Sequence, residues 1–185
     1  MGKPNKAAEA RIDVLERNFP GWKKEVWDRK AEVGYTTVPR TLGLITALLK
    51  QLCKGGDPSS VYVELWCRVY DEGLVEVRYA KELGVAAGFS PARAERSFRE
   101  RVKLLRNLGF VKTAKRYDSD FDYIFLRHPD IVVRELEAGN KLPSSSWTEE
   151  YARRMQDIGA VKRKAPIREI GNRGRDKIVK VPISA

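Results

Sequence analysis

From Ser90 to Leu108 a single helical period runs unbroken, and its two faces differ in kind. With Phe98 at zero on a wheel of about 100° per residue, Ala94, Val102 and Leu105 fall within about 40° of it, and Leu108 stands at the edge. The rest of the arc collects Arg93, Arg96 and Lys103, with Arg99 and Arg106 on its flank; Glu100 is the only carboxylate near its centre. Ser90 can cap such a helix, Pro91 suits its first position, and Gly109 ends it. A helix divided in this way buries one side and offers the other to solvent or to a polyanion. Solvated helix faces mix charge signs at spacing four. Between Phe89 and Tyr117, nine Lys and Arg stand against two Glu.

The elements around this helix follow from pattern and punctuation. Phe110 to Tyr117 reads as a strand, Asp118-Ser119-Asp120 as a turn, and Phe121 to Arg127 as the returning strand. Upstream, Ser59 to Asp71 carries Val61, Leu65, Trp66 and Val69 at helical spacing. Leu74 to Val77 is a short β-rich run, and Tyr79 to about Val85 a short helix. Residues 5–33 read as two helical pieces broken at Pro20-Gly21, with Ile12, Leu15 and Phe19 on one face of the first, and Trp22, Val26 and Trp27 on the second. Thr37 is a candidate cap for a helix from about Pro39 that carries Leu42, Leu44, Ile45, Leu48, Leu49 and Leu52. So broad a stripe must be covered. Either the domain core covers it or a second copy of the chain does, which makes a homodimer one of two open readings.

Downstream, residues 130–138 form a further helix. After a Pro-Ser loop, Ser146 and Glu149 have capping-box spacing ahead of a helix striped by Trp147, Tyr151, Met155 and Ile158. A Met and aromatic stripe of this kind packs. Residues 160–185 hold eight Lys and Arg against Glu169 and Asp176 with no apolar period, and read as a flexible basic tail.

Helix, short strand, helix, long helix, hairpin: this order resembles the winged helix-turn-helix superfamily over about residues 58–128. The most specific segment is Phe98, Val102 and Leu105 followed by Gly109-Phe110-Val111. Ser90 departs from the pattern, since it lies about one turn ahead of the usual cap. No particular family within the superfamily is matched. The resemblance implies a mostly α fold with a small β-hairpin wing. It divides the chain into an N-terminal helical extension (1–57), the winged unit (58–128), C-terminal helices (129–159) and the tail (160–185).

It also implies a DNA-binding protein with a recognition helix at about 90–108 and a wing at about 110–127. The expected contacts are Arg93, Arg96, Arg99, Lys103 and Arg106 on the helix, and Lys112, Lys115 and Arg116 on the wing. A helix of this diameter fits the major groove, where Arg pairs with guanine edges and Lys neutralises phosphate. The expected partner is double-stranded DNA, in transcription control or in replication and maintenance of a plasmid, phage or other mobile element. Two alternatives stand beside it: a winged-helix module that docks a protein, and an RNA-binding basic protein.

Composition supports a polyanionic partner and weakens catalysis. Across 185 residues the net charge is +11, while 42% hydrophobic content is enough for a core. Two cysteines, Cys53 and Cys67, build neither a disulfide scaffold nor a zinc site. The sole histidine, His128, excludes a nicking enzyme built on paired histidines, and no nucleophile is set beside it. No glycine run precedes a Lys-Ser/Thr pair, and Asp118, Asp120 and Asp122 lack the glycine and distal Glu of a calcium loop. The chain therefore reads as a non-enzyme without cofactor or metal. It has no signal core or membrane span, and is expected in the cytoplasm.

Overall fold

A computed structural model describes residues 6–26, 33–70, 72–116, 119–143 and 145–160. Trp27, Tyr117, Asp118 and the basic stretch from Val161 onward lie outside the described residues. The chain is mostly helical, with one small antiparallel sheet.

Seven helices are described: α1 (Lys6–Asn18), α2 (Leu42–Leu52), α3 (Ser59–Arg68), α4 (Ala80–Ala86), α5 (Ala94–Asn107), α6 (Pro129–Ala138) and α7 (Ser145–Asp157). A 3-10 turn at Trp22–Lys24 follows α1. Of the apolar residues expected on the N-terminal pieces, Ile12, Phe19 and Val26 are exposed, and Leu15 and Trp22 are half-buried.

Three strands, β1 (Leu74–Glu76), β2 (Val111–Ala114) and β3 (Tyr123–Leu126), form a sheet in the order β1-β3-β2. The hairpin pairs Val111 with Leu126 and Thr113 with Ile124, and β1 adds to the free edge of β3 with Val75 opposite Ile124. Period-two alternation turns Val75, Val111, Ile124 and Leu126 inward, all of them buried. Leu74, Phe125 and Lys112 form an exposed row on the other face.

One core joins these elements. Ile45, Leu48 and Leu49 of α2, Val61, Tyr62 and Leu65 of α3, and Phe98, Val102 and Leu105 of α5 are all fully buried. Each contributes roughly 1.5–3 kcal/mol relative to exposure. The α2 stripe is therefore interior to a single chain at Ile45, Leu48 and Leu49, and partly buried at Leu42, Leu44 and Leu52. It packs on α3, and it meets α7 where Trp147 Nε1 donates to the Leu44 carbonyl at 3.0 Å. Trp147 stacks on Tyr151, whose hydroxyl donates to Asp130 of α6 at 3.1 Å.

Three helix starts differ from the sequence pattern. Ser90 does not cap the long helix. Pro91 instead occupies the second position of a turn that Arg93 N closes on the Ser90 carbonyl at 2.9 Å, and α5 begins one turn later at Ala94. Likewise Thr37 does not cap α2. A turn from Pro39 to Leu42 intervenes, and Thr41 takes the cap position. Ser146 stands inside the first turn of α7, which begins at Ser145.

The hairpin strands are shorter than the run from Phe110 to Arg127 suggests. The Asp122 carboxylate takes the Arg116 backbone N–H at 3.0 Å, and Phe121 turns into the core, so the ladder stops short of the tip. The far end of α5 does follow the sequence. Gly109 adopts φ +85°, a left-handed conformation in which Gly109 N reaches the Arg106 carbonyl and Phe110 N the Leu105 carbonyl.

One buried polar pair tests this core. The Tyr62 hydroxyl and Trp66 Nε1 are both buried without a hydrogen bond of good geometry, their rings edge to face at 6.2 Å. Burial pushes the Tyr62 phenol up to about 12, offset in part by the Trp66 indole. The folded state thus favours the neutral phenol. That contribution is complete below pH 10, the ordinary tyrosine value, and is lost as pH rises from 10 through 12. Tyr62→Phe should leave neutral-pH stability unchanged or raise it by about 1 kcal/mol, and should flatten the alkaline loss. Urea titrations at pH 7 and pH 11 measure both. A clear loss at pH 7 would mean that the hydroxyl holds a bond of value.

Candidate nucleic-acid interface

The cationic face is set by how α4 holds α5. These two helices share an extensive contact, and Gly84 of α4 lies directly against the Ala94 backbone at the start of α5. Phe98, Val102 and Leu105 anchor the opposite flank, so the arc containing Arg96, Glu100, Lys103 and Asn107 is left outward and exposed. Asn107 was not marked from the sequence. It stands on the same arc as Arg96 and Lys103, and an amide there can pair with an adenine edge.

The cations singled out in the sequence separate into groups with different commitments. Arg99 is spent within the fold: its Nε and Nη2 donate to Glu95 Oε1 at 3.1 and 2.9 Å, and its Nη1 donates to Ser119 Oγ at 2.6 Å. Arg106 donates to Thr113 Oγ1 at 3.3 Å, with its guanidinium 5.3 Å from the Phe121 ring centroid. Arg116 lies over Tyr123 and pairs with Glu76 of β1. These three arginines brace the hairpin against α5 and β1. Arg93, Lys103 and Lys115 are exposed. Lys112 is exposed too, but on the sheet face it shares with Phe125. There it helps Arg127 hold the Glu135 carboxyl of α6 below its usual range. Thr113, its neighbour, carries the side of β2 that meets α5.

Arg96 is the most exposed of the paired arginines on α5, its side chain 85% accessible. It uses a single donor, Nε to Glu100 Oε1 at 2.9 Å. The hydrogen bond to Arg96 holds the Glu100 carboxyl below its usual range, so the carboxylate is charged near neutrality. Arg101, on the other flank, tucks over the Phe89 ring at 5.9 Å, and its Nε is buried without a partner. On the helical wheel Arg101 stands about 60° from Phe98, nearer the apolar face than Arg99 or Arg106, and there Phe89 and the loop at Gly56 cover it.

Chemically, the outward arc of α5 offers the donors of Arg96, Lys103 and Asn107 beside the Glu100 carboxylate, all exposed. An open concavity of about 1840 Å³ is bordered by Thr41, Trp66, Phe125, His128 and Ile131, and no residue of α5 lines it. His128 is occupied elsewhere: its Nδ1 accepts from Asp130 N at 3.2 Å and caps α6. Among the described residues, no three His, Cys, Asp or Glu side chains gather to hold a metal ion, and no helix is long and apolar enough to cross a membrane. Searched against protein-family models, curated proteins and solved structures, the chain matches none of them.

Proposed function

From the premise of a cationic helix carried outward on a braced hairpin, we propose that residues 58–128 form a winged helix-turn-helix unit that binds duplex DNA. In this reading α5 enters the major groove and the β2–β3 hairpin serves as the wing. The chain acts by occupancy, not by chemistry on the DNA. The observation that carries the reading is the outward arc of α5, on which Arg96 and Lys103 stand exposed while Arg99 and Arg106 tie the helix to the hairpin. The element order and the β1-β3-β2 sheet support it, since a wing needs a hairpin whose second strand is central. The net charge of +11 supports a polyanion as partner.

The roles assigned are base reading for Arg96, approach to the groove edge or phosphate for Arg93, and phosphate contact for Lys103 and Lys115. Arg99, Arg106 and Arg116 act by holding the wing in place, and Lys112 is left out of the contact set. The test is binding of labelled duplexes selected from a random library, beside scrambled duplex and duplex RNA at matched salt. Arg96→Ala should weaken the selected duplex by roughly 5- to 150-fold and the scrambled duplex far less. Lys103→Ala should weaken both alike and lower the slope of log affinity against log salt by about 0.9. Lys112→Ala should change neither. Preference for RNA, or an unchanged affinity in the Arg96/Lys103 double variant, would reject the assignment.

A further inference from the structure

The one carboxylate at the centre of the α5 arc needs an explanation. On a surface that approaches phosphates, Glu100 opposes binding by its charge. Arg101 Nη1 also stands near it, 3.9 Å from Glu100 Oε2 and too far to hydrogen-bond, and the pair with Arg96 explains it poorly as helix support. An i,i+4 ion pair supports a helix better when the acid precedes the base, which is the order of Glu95 and Arg99; Arg96 and Glu100 run the other way. With side chains 85% and 46% accessible, the pair is also exposed, a setting in which ion pairs stabilise little.

The two arginines differ in what their partners leave available. Glu95 and Ser119 between them take Nε, Nη1 and Nη2 of Arg99. Glu100 takes Nε of Arg96 alone, from one edge of the guanidinium. The end of that fork, Nη1 and Nη2, remains open, and two parallel N–H groups in a plane match the O6 and N7 acceptors of guanine. A long arginine side chain otherwise loses rotamer freedom on docking. A partner that holds it in advance lowers that cost for the fitting base only.

We propose that Glu100 is a specificity-determining positioning residue: by holding Arg96 through Nε, it presents the end of the guanidinium to guanine in the major groove, while its own charge weakens attachment to DNA without that base. This inference rests on the DNA-binding reading above. Glu100 has no base contact of its own in this role. It acts through Arg96, trading general affinity for discrimination.

The full-length chain, the duplex selected by it, and a scrambled duplex are the probes. In a third duplex each guanine of the selected site is replaced in turn by 7-deazaguanine, which lacks the N7 acceptor. Glu100→Gln should bind scrambled DNA more tightly than the parent does. It should also lose at least about fivefold in the ratio of selected to scrambled affinity, and respond less to 7-deazaguanine at one position. In an Arg96→Ala background, Glu100→Gln should still tighten scrambled binding but leave the ratio unchanged, since the positioned group is gone. Circular dichroism of each variant checks that α5 is intact.

Equal tightening on selected and scrambled duplexes by Glu100→Gln would overturn the proposal and leave Glu100 a simple repulsive charge. A parent protein that binds duplex without selecting a sequence would also overturn it, with the DNA-binding reading still standing. A parent that binds no duplex at all defeats both.

Discussion

Gly84→Ala is expected to lower the stability of the fold by at least about 2 kcal/mol, against the helix-forming preference of alanine. In an unobstructed helix this substitution stabilises by roughly 0.5–1 kcal/mol. At Gly84 the added Cβ would lie 2.9 Å from the Ala94 Cα, and closer still to the carbonyl carbon and oxygen of that residue. Those are backbone atoms at the start of α5, and no rotamer change relieves the contact. The two helices must separate, which strips packing from Leu83, Ala94 and Phe98, all buried. Overpacking of a rigid core costs about 1–3 kcal/mol even where side chains can adjust. Gly43→Ala is the matched control. Gly43 lies within α2, exposed, with nothing within 4 Å of an added Cβ, so the same change should stabilise by up to about 1 kcal/mol. Urea midpoints of the two variants should move in opposite directions. Equal shifts would mean that the close approach of α4 and α5 is not maintained in solution.

Leu49→Asp should abolish cooperative folding at every protein concentration. Leu49 has no accessible surface within the single chain. Its replacement removes a buried aliphatic side chain, about 2–5 kcal/mol by the cavity alone, and sets a carboxylate in its place without a partner. Together these approach or exceed the about 5–15 kcal/mol that holds an ordinary domain folded. Circular dichroism, near-ultraviolet signal and sedimentation read the result together. A folded monomer derived from a dimeric parent would instead make the α2 stripe an interface, since only surface exposed in the single chain tolerates the charge. The contrast is sharp because interface and core predict different states of the same variant, not different degrees of one.

How far the sequence reached depends on the kind of signal. Helical period is local and reads directly. The inward set Phe98, Val102 and Leu105 was legible from spacing alone, as was the glycine stop at Gly109, whereas the run from Phe121 to Arg127 has apolar residues on both alternations and its inward face, Ile124 and Leu126, was not. The cationic arc of α5 was legible too, since the faces of a helix follow from residue order. Helix starts were less legible. Ser90-Pro91 is equally good as a cap or as a turn, and the choice fell to the turn because α5 begins at Ala94, packed against Gly84. The breadth of the α2 stripe was plain, but what covers it was not: α3, the next helix, packs on it, and α7 reaches it from the far end of the described chain.

What the sequence by itself determined is therefore the face: which side of α5 is apolar, which is basic, and that a hairpin follows. What only the tertiary structure decided is which of the basic residues remain available. Arg96, Arg99 and Arg106 are the same residue on the same helix, yet Ser119, Thr113 and Phe121 reach two of them from the hairpin and none reaches the third. Lys112 lies next to Thr113 in the chain but stands on the opposite face of the sheet, beside Phe125. The physical reason is that charge and period belong to residues and their neighbours in sequence. The partners that occupy a guanidinium come from elements brought close only when the chain folds.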